Sequence, residues 1–545
     1  MMVWAWIRRS FSVARAWITP NVQSFRASRE PAVWTLSLII GLVVSIAAIA
    51  FRQLINVTQW FWFSAEAESL ATALAATPWY WVLFGPAVGG LLVGFILTRY
   101  LPSRRTGGVA DVIEAKAYGG RNIELKPGLW SAVASGLSLG FGGSAGREGP
   151  MVHLGAAIAT SCAVQFYLPD WGRKTLLACG VASAVSASFN APIAGVLFAH
   201  EVVLNHYAKR SFIPIVISSV MGTVLSRIWF GDAAAFEIPD HQITSFLEIP
   251  AFALLGVVCA VVAVLFQLAL IGTDAVARTI PMPLWIRPAT GGLMIGAIAL
   301  IYPQVLGVGY EATDNALKSQ LPIALLIGLV VAKTAATAIT LASRFGGGVV
   351  SPSLYIGAMT GSAFGLIAAQ VFPELASSQG IYAILGMGAV AAAVIGAPIS
   401  TTVMVFELTG GYALSIALLL TVSVAVGINQ AVHGRSIFQW QLELRGLSFQ
   451  DGPHRFMVRS TLVASFMDPL QDGDSNMRLS DDDRPSLRAD ATLETALRTF
   501  DESGHGRLPV VSARDETIIV GHATQVAALR VFNKALVDMS VEEHR

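Results

Sequence analysis

Residues 141–158 read Phe-Gly-Gly-Ser-Ala-Gly-Arg-Glu-Gly-Pro-Met-Val-His-Leu-Gly-Ala-Ala-Ile, a charged, glycine-rich turn that runs straight into an apolar segment. Pro150 suits the first turn of a helix because it lacks an N–H and its φ is preset, so the spacing predicts a helix with Glu148 at its mouth. The free N–H groups and positive dipole end at such a mouth favour negative charge. A carboxylate and a small anion therefore compete for one place, and Glu148 is a candidate occupant and gate. The same pattern also describes a turn with a capping glutamate, so the rest of the chain decides.

Of 545 residues, 54% are hydrophobic and only 13% charged, far from the balance of a soluble globular chain. The chain reads as an all-α polytopic membrane protein. Apolar runs near 33–50, 77–98, 209–229, 247–272, 285–302, 319–342, 352–371 and 413–432 are long enough, or nearly so, to cross about 30 Å of hydrocarbon. The segments 127–140, 150–164, 175–189, 191–203 and 398–408 are shorter and broken by Gly, Pro or a charge, as expected of helices that end inside the protein.

Residues 1–32 carry Arg8, Arg9, Arg15, Arg26 and Arg29 against Glu30 alone, which predicts a cytoplasmic amino-terminal segment. Trp4, Trp6 and Trp17 suggest an interfacial amphipathic helix, with an untethered basic tail as the alternative. Cys162, Cys179 and Cys259 lie in apolar segments without metal-ligand spacing, so they read as core residues and no metal or cofactor is implied. A net charge of +1, with the arginines scattered among loops, excludes a nucleic-acid surface. No nucleophile–base pair stands out among His153, His200, His206 and Cys179, which argues against an intramembrane enzyme.

The chain also repeats. Gly146, Pro150, Gly155 and Ala156 share their spacing with Gly348, Pro352, Gly357 and Ala358. Ala191-Pro192-Ile193 precedes Glu201 as Ala397-Pro398-Ile399 precedes Glu407, with seven residues between Ile and Glu in both cases. Ordered recurrence about 200 residues apart predicts two halves, approximately 33–240 and 247–445, of the kind transporters arrange around a midplane site. Gly348-Val349-Val350-Ser351-Pro352 is then a second turn that offers backbone donors without charged side chains. Gly357, Ala358 and Gly361 read as helix-packing residues, and Glu201 and Glu407 as acids hydrogen-bonded at helix ends.

These residues resemble the CLC family of chloride channels and proton-coupled chloride antiporters over roughly 33–445. Gly146-Arg147-Glu148-Gly149-Pro150 matches the family's G-[K/R]-E-G-P signature, and Gly348 to Pro352 its G-x-x-x-P signature. Ala191 to Glu201 also fits. The resemblance implies an inverted repeat of broken, tilted helices and a homodimer with a pore in each subunit. It implies chloride or a similar small anion as cargo and Glu148 as gate, with anion contacts at Gly107, Gly108, Gly146, Arg147, Gly149, Gly348, Val349 and Val350.

Three departures bear on mechanism. Thr106-Gly107-Gly108-Val109-Ala110 stands where the family commonly has G-[S/H]-G-[I/V]-P, so Gly107 offers backbone only. Phe438 stands where relatives often place a tyrosine hydroxyl against the anion. The expectation is a centre of backbone donors that excludes cations but discriminates weakly among anions. Antiporters often carry a second acid after the Ala-Pro-Ile turn, whereas here Val202 follows Glu201, which leans toward channel-type behaviour. Proton-coupled antiport is the alternative, with His200 or water replacing that acid. His153, three residues beyond Pro150, reads as packed, with titration near neutral pH as its functional alternative.

After Leu444 the composition turns polar, with Asp468, Asp472, Asp474 and the run Asp481-Asp482-Asp483. A capped helix from Ala491, strands at 508–511 and 518–520 and a helix over 524–536 resemble one CBS motif, giving a small α/β cytoplasmic domain at 456–540. Such motifs work in pairs, so the partner copy is expected from the second subunit. Ala527 replaces the ribose-binding aspartate of nucleotide-binding relatives, which argues against nucleotide binding. The sequence thus predicts a multi-pass protein of the cell membrane with both termini cytoplasmic, and a non-conducting membrane sensor is the third reading.

Overall fold

The computed structural model describes residues 16–23, 25–26, 28–64, 69–117, 123–231, 236, 243–410, 414–447, 458, 461–470 and 485–544. Trp4, Trp6, Asp472, Asp474 and Asp481 to Asp483 lie outside the described residues. The chain divides into two compact units, Met1–Trp440 and Gln441–Arg545.

The first unit is helical. Its first half comprises α1 (Glu30–Phe63), α2 (Leu70–Ala76), α3 (Trp79–Arg99), α4 (Val109–Ala117), α5 (Leu125–Gly140), α6 (Glu148–Gln165), α7 (Asp170–Phe189), α8 (Pro192–Phe198) and α9 (Lys209–Phe230). Its second half comprises α10 (Ile249–Thr279), α11 (Arg287–Ala299), α12 (Tyr310–Leu317), α13 (Ile323–Ala342), α14 (Val350–Val371), α15 (Gln379–Ile395), α16 (Pro398–Thr409), α17 (Ser415–Val432) and α18 (Ile437–Glu443). Among the described residues seven helices are long and apolar enough to cross a membrane: α1, α3, α9, α10, α13, α14 and the run Ser415–Glu443. The run 285–302 differs from the sequence reading, because α11 spans only 13 residues. Pro303 pushes Tyr302 out of the helical region (φ −127°, ψ 76°) and the chain turns there.

Glycines set the tightest helix crossings, and they do so equivalently in both halves. A Cβ on Gly155 of α6 would strike the Gly180 carbonyl of α7, and a Cβ on Gly180 would strike the Gly155 carbonyl. Gly357 of α14 and Gly386 of α15 repeat this mutual contact, and Gly361 lies against the Tyr382 carbonyl. Without side chains at these points the backbones approach closely enough for dispersion and Cα–H contacts to hold helices that hydrocarbon does not drive together.

The two glutamates of the repeat cap each other's halves. Glu201 accepts from the N–H groups of Ile399 (3.1 Å) and Ser400 (2.7 Å) at the mouth of α16. Glu407 accepts from Ile193 (2.9 Å) and Ala194 (2.7 Å) at the mouth of α8. Helix-end hydrogen bonding was expected of both; that each acid crosses to the opposite half is a property of the tertiary fold. Pro192 and Pro398 open these helices without an N–H, so two carboxylate oxygens satisfy the next two donors.

The second unit holds a four-stranded sheet in the order β1-β4-β3-β2, with β1 (Asp468–Pro469), β2 (Leu487–Arg488), β3 (Arg507–Val511) and β4 (Ile519–Thr524). β2 and β3 pair in parallel, and the other pairs are antiparallel. Two helices pack with the sheet, α19 (Leu493–Ser503) and α20 (Gln525–His544), and the Thr492 hydroxyl caps α19 by accepting from Thr495 N–H at 3.2 Å. Leu493, Ala496, Phe500, Leu508, Val510 and Ala523 form its core.

Glu407→Ala strips two donors at the mouth of α8 and should destabilise the protein by about 2–5 kcal/mol, read as a lowered thermal midpoint in detergent. Glu407→Gln keeps one acceptor and should lose about half as much.

Candidate functional site

The two glycine-rich turns meet. Gly146 N–H donates to the Gly348 carbonyl and Gly348 N–H to the Gly146 carbonyl, both at 2.7 Å, forming an isolated antiparallel bridge between the halves. A Cβ on Gly348 would lie 2.9 Å from Gly149 N, and one on Gly146 would fall on the Glu148 carboxylate. At Gly348 the collision is with backbone, so the crossing requires glycine there; at Gly146 it falls on the Glu148 side chain. The N–H groups of Gly146 and Gly348 serve each other. They join the halves and fix the mouths of α6 and α14 side by side. The first turns of those helices leave the N–H groups of Glu148, Gly149, Val350 and Ser351 without intrahelical partners.

Glu148 is buried, 2% exposed. Its Oε1 accepts from the Ser351 hydroxyl in a short hydrogen bond, and its Oε2 is buried without a hydrogen-bond partner. The acid thus reaches from its own helix to Ser351 at the mouth of α14. Ser351 is a site residue that the sequence reading passed over. The available signal was the repeat itself, in which Ser351 matches Gly149, so the second turn carries a hydroxyl where the first carries none. Arg147 turns outward from the clasp, donating from Nη2 to the Ser188 carbonyl at 2.5 Å, with its guanidinium 4.9 Å from the Tyr310 ring centroid. Val349 and Val350 are buried beside the bridge.

At Gly107 and Gly108 the geometry again differs from the expected backbone donors. Gly107 N–H donates to Ser131 Oγ and Gly108 N–H to Asp111 Oδ2, both at 2.8 Å. Asp111 in turn is paired with Arg105, whose Nη1 lies 3.0 Å from Oδ2. Both N–H groups are spent on the protein. The space a side chain at 107 would take is filled by the His153 imidazole, whose Nε2, Cδ2 and Cε1 surround the position of a Gly107 Cβ. A polar ring from α6 thus stands where the sequence alone left only backbone. Phe438, 5% exposed on α18, packs in the main hydrophobic core and supplies no polar atom.

His200 and Val202 lie on a π-helical turn, Ala199–Leu204, that continues α8. His200 is fully buried, its Nδ1 2.8 Å from the His206 carbonyl, and it stacks on Tyr207 and Phe212 with centroids 5.4 and 5.8 Å apart. Its Nε2 has no hydrogen-bond partner. Val202 packs against the main core. Wide turns of this kind re-aim side chains and recur at functional sites.

Restoring a hydroxyl by Gly107→Ser alone should destabilise the protein by about 1–3 kcal/mol, because the new atoms collide with the imidazole. Gly107→Ser combined with His153→Ala should recover most of that loss, as a double-mutant cycle on thermal midpoints will measure.

A family profile described as voltage gated chloride channel matches residues 89–430. A putative chloride channel protein, ClcB-like, from Ralstonia nicotianae is 32% identical over 388 residues, covering 70% of this chain and 90% of that protein. The fold also matches solved structures. A slow cyanobacterial Cl−/H+ antiporter has a TM-score of 0.68 at 23% identity, covering 77% of this chain and 99% of its own. A CLC-type fluoride/proton antiporter has a TM-score of 0.63 at 21% identity, covering 75% of this chain and 98% of its own. With the clasped turns, the buried glutamate and the helical repeat, these matches place the chain in the CLC family of voltage-gated chloride channels and related transporters, as an integral multi-pass membrane protein.

Proposed function

We propose that the protein carries chloride or a similar small anion across the bilayer by a path in each subunit of a homodimer, with Glu148 as its gate. The observation that carries this reading is the Glu148 carboxylate lodged between the Ser351 hydroxyl and the helix mouths of both halves. What suits a carboxylate there suits a small anion: N–H donors, a hydroxyl and two positive dipole ends. Withdrawal or protonation of Glu148 vacates those donors, and an anion takes them in its place.

Within that reading passive conduction is favoured over exchange. Val202, packed against the core beyond the Glu201 cap, has no proton to give. The second reading, proton-coupled exchange, draws support from His200, whose buried Nε2 is unpartnered on the π-helical turn, and from the antiporters named among the similar folds. The four-stranded unit after Gln441 is read as a CBS-like cytoplasmic domain without a nucleotide ligand, and both termini as cytoplasmic in a protein of the cell membrane.

In proteoliposomes, Glu148→Gln should raise anion flux several-fold and remove most of its pH dependence, and lowering the pH should raise the parent's flux toward the mutant's. Unchanged flux in the mutant counts against the gate. Following anion and proton together separates the two readings. Conduction predicts a reversal potential indifferent to the pH gradient, whereas a shift of the size that stoichiometric exchange requires establishes the antiporter.

A further inference from the structure

The start of α11 gathers arginines from four stretches of the chain. Arg278 lies in the last turn of α10, Arg287 opens α11, Arg105 stands in the loop between α3 and α4, and Arg344 lies two residues beyond α13. Packing brings these ends together. A Cβ on Gly94 of α3 would strike the Trp285 carbonyl just before α11, and one on Gly291 of α11 would strike the Ser343 hydroxyl. Phe345 is buried in one cluster with Leu97 and Leu101 at the end of α3. Arg344 is accordingly within electrostatic reach of Arg105, Arg278 and Arg287 at once.

The carboxylates nearby leave this charge unbalanced. Arg105 is answered by Asp111 through two hydrogen bonds, with Glu114 close by, and Arg278 by Asp274 at 2.7 Å. Arg287 donates from Nη2 to the Ala277 carbonyl, which brings no counter-charge. Among the described residues no group is bonded to the Arg344 guanidinium, and the one acid in reach is Asp274, which Arg278 already holds. The Arg344 backbone is also in the left-handed region (φ 67°), where glycine would close the helix more easily. The position thus presents a long cationic side chain at a cost to the turn. Its surroundings are apolar: Val276 and Ile280 flank Arg278, Trp285 stands two residues before Arg287, and all three are at least half exposed.

We propose that Arg287 and Arg344, with Arg105 and Arg278 adding charge, form a site for the phosphate of an anionic phospholipid whose acyl chains lie along Val276, Ile280 and Trp285. Guanidiniums take phosphate oxygens through paired N–H bonds. Unbalanced arginines at helix ends beside an exposed tryptophan and aliphatic side chains fit the boundary between headgroups and hydrocarbon, where basic clusters bind anionic lipid. A free phosphate ion would use the charge and leave the apolar rim bare, which is why the lipid is the occupant chosen. The inference goes beyond anion transport and does not depend on it.

Phosphatidylglycerol serves as the probe, with phosphatidylcholine of the same acyl chains as its zwitterionic counterpart. A cryo-EM map of the full-length protein in phosphatidylglycerol nanodiscs should show headgroup density between Arg287 and Arg344; a site without it overturns the proposal. Native mass spectrometry should find phosphatidylglycerol retained over phosphatidylcholine, and Arg344→Gln should cut that preference about tenfold, the usual effect of one hydrogen bond to a charged group. Arg344→Lys, which keeps the charge and loses the paired geometry, should fall between. A preference unaltered by Arg344→Gln overturns the site, and if that variant does not fold the density in the unmodified protein decides. Inorganic phosphate retained where phosphatidylglycerol is not would overturn the lipid assignment in favour of a soluble phosphate.

Discussion

Two hydrogen bonds between Gly146 and Gly348 join the halves of this molecule at its centre, and the functional geometry depends on them. Because each turn spends its N–H on the other, the following residues are free to present theirs. The mouths of α6 and α14 are thereby fixed beside one another, close enough for one glutamate to span both. A side chain at Gly348 would press on the Gly149 backbone and separate the mouths, leaving each a solitary, weaker attractor of negative charge.

The same economy governs the other charges in the helical unit. Glu201, Glu407 and Glu311 rest on backbone N–H groups at helix mouths, Glu148 accepts from the Ser351 hydroxyl, and Glu248 is held by Ser377 and by the Tyr382 hydroxyl at 2.9 Å. Arg147 and Lys333 are held by carbonyls and by the faces of Tyr310 and Tyr355. In these cases charged side chains meet dipoles rather than opposite charges, while Glu148 Oε2 and Arg147 Nε keep no hydrogen-bond partner. Dipoles stabilise a charge without cancelling it. Ion pairs such as Arg105 with Asp111 and Arg210 with Glu30 hold the flanks.

At Gly107 the molecule shows a substitution by space. The missing side chain on one turn is answered by His153 on α6, whose ring occupies the vacated volume. A polar ring therefore lies against Gly107, which the local sequence around Gly107 does not disclose.

Much of the architecture was legible in the sequence because hydrocarbon imposes simple rules. Length and hydropathy marked most of the spanning helices, prolines marked the mouths of α8 and α16, and matched spacings marked the two halves and the helix-end role of Glu201 and Glu407. The run 285–302 misled, since hydropathy does not register that Pro303 ends the path of α11. What only the tertiary structure decided is which partners those local signals meet: Gly146 with Gly348, Glu148 with Ser351, Glu201 with α16, Glu407 with α8, and Gly107 with His153. Each of these contacts joins segments far apart in the chain. Periodicity and capping rules act within a few residues, whereas the pairing of two helix mouths depends on how the halves close over each other, and only packing sets that.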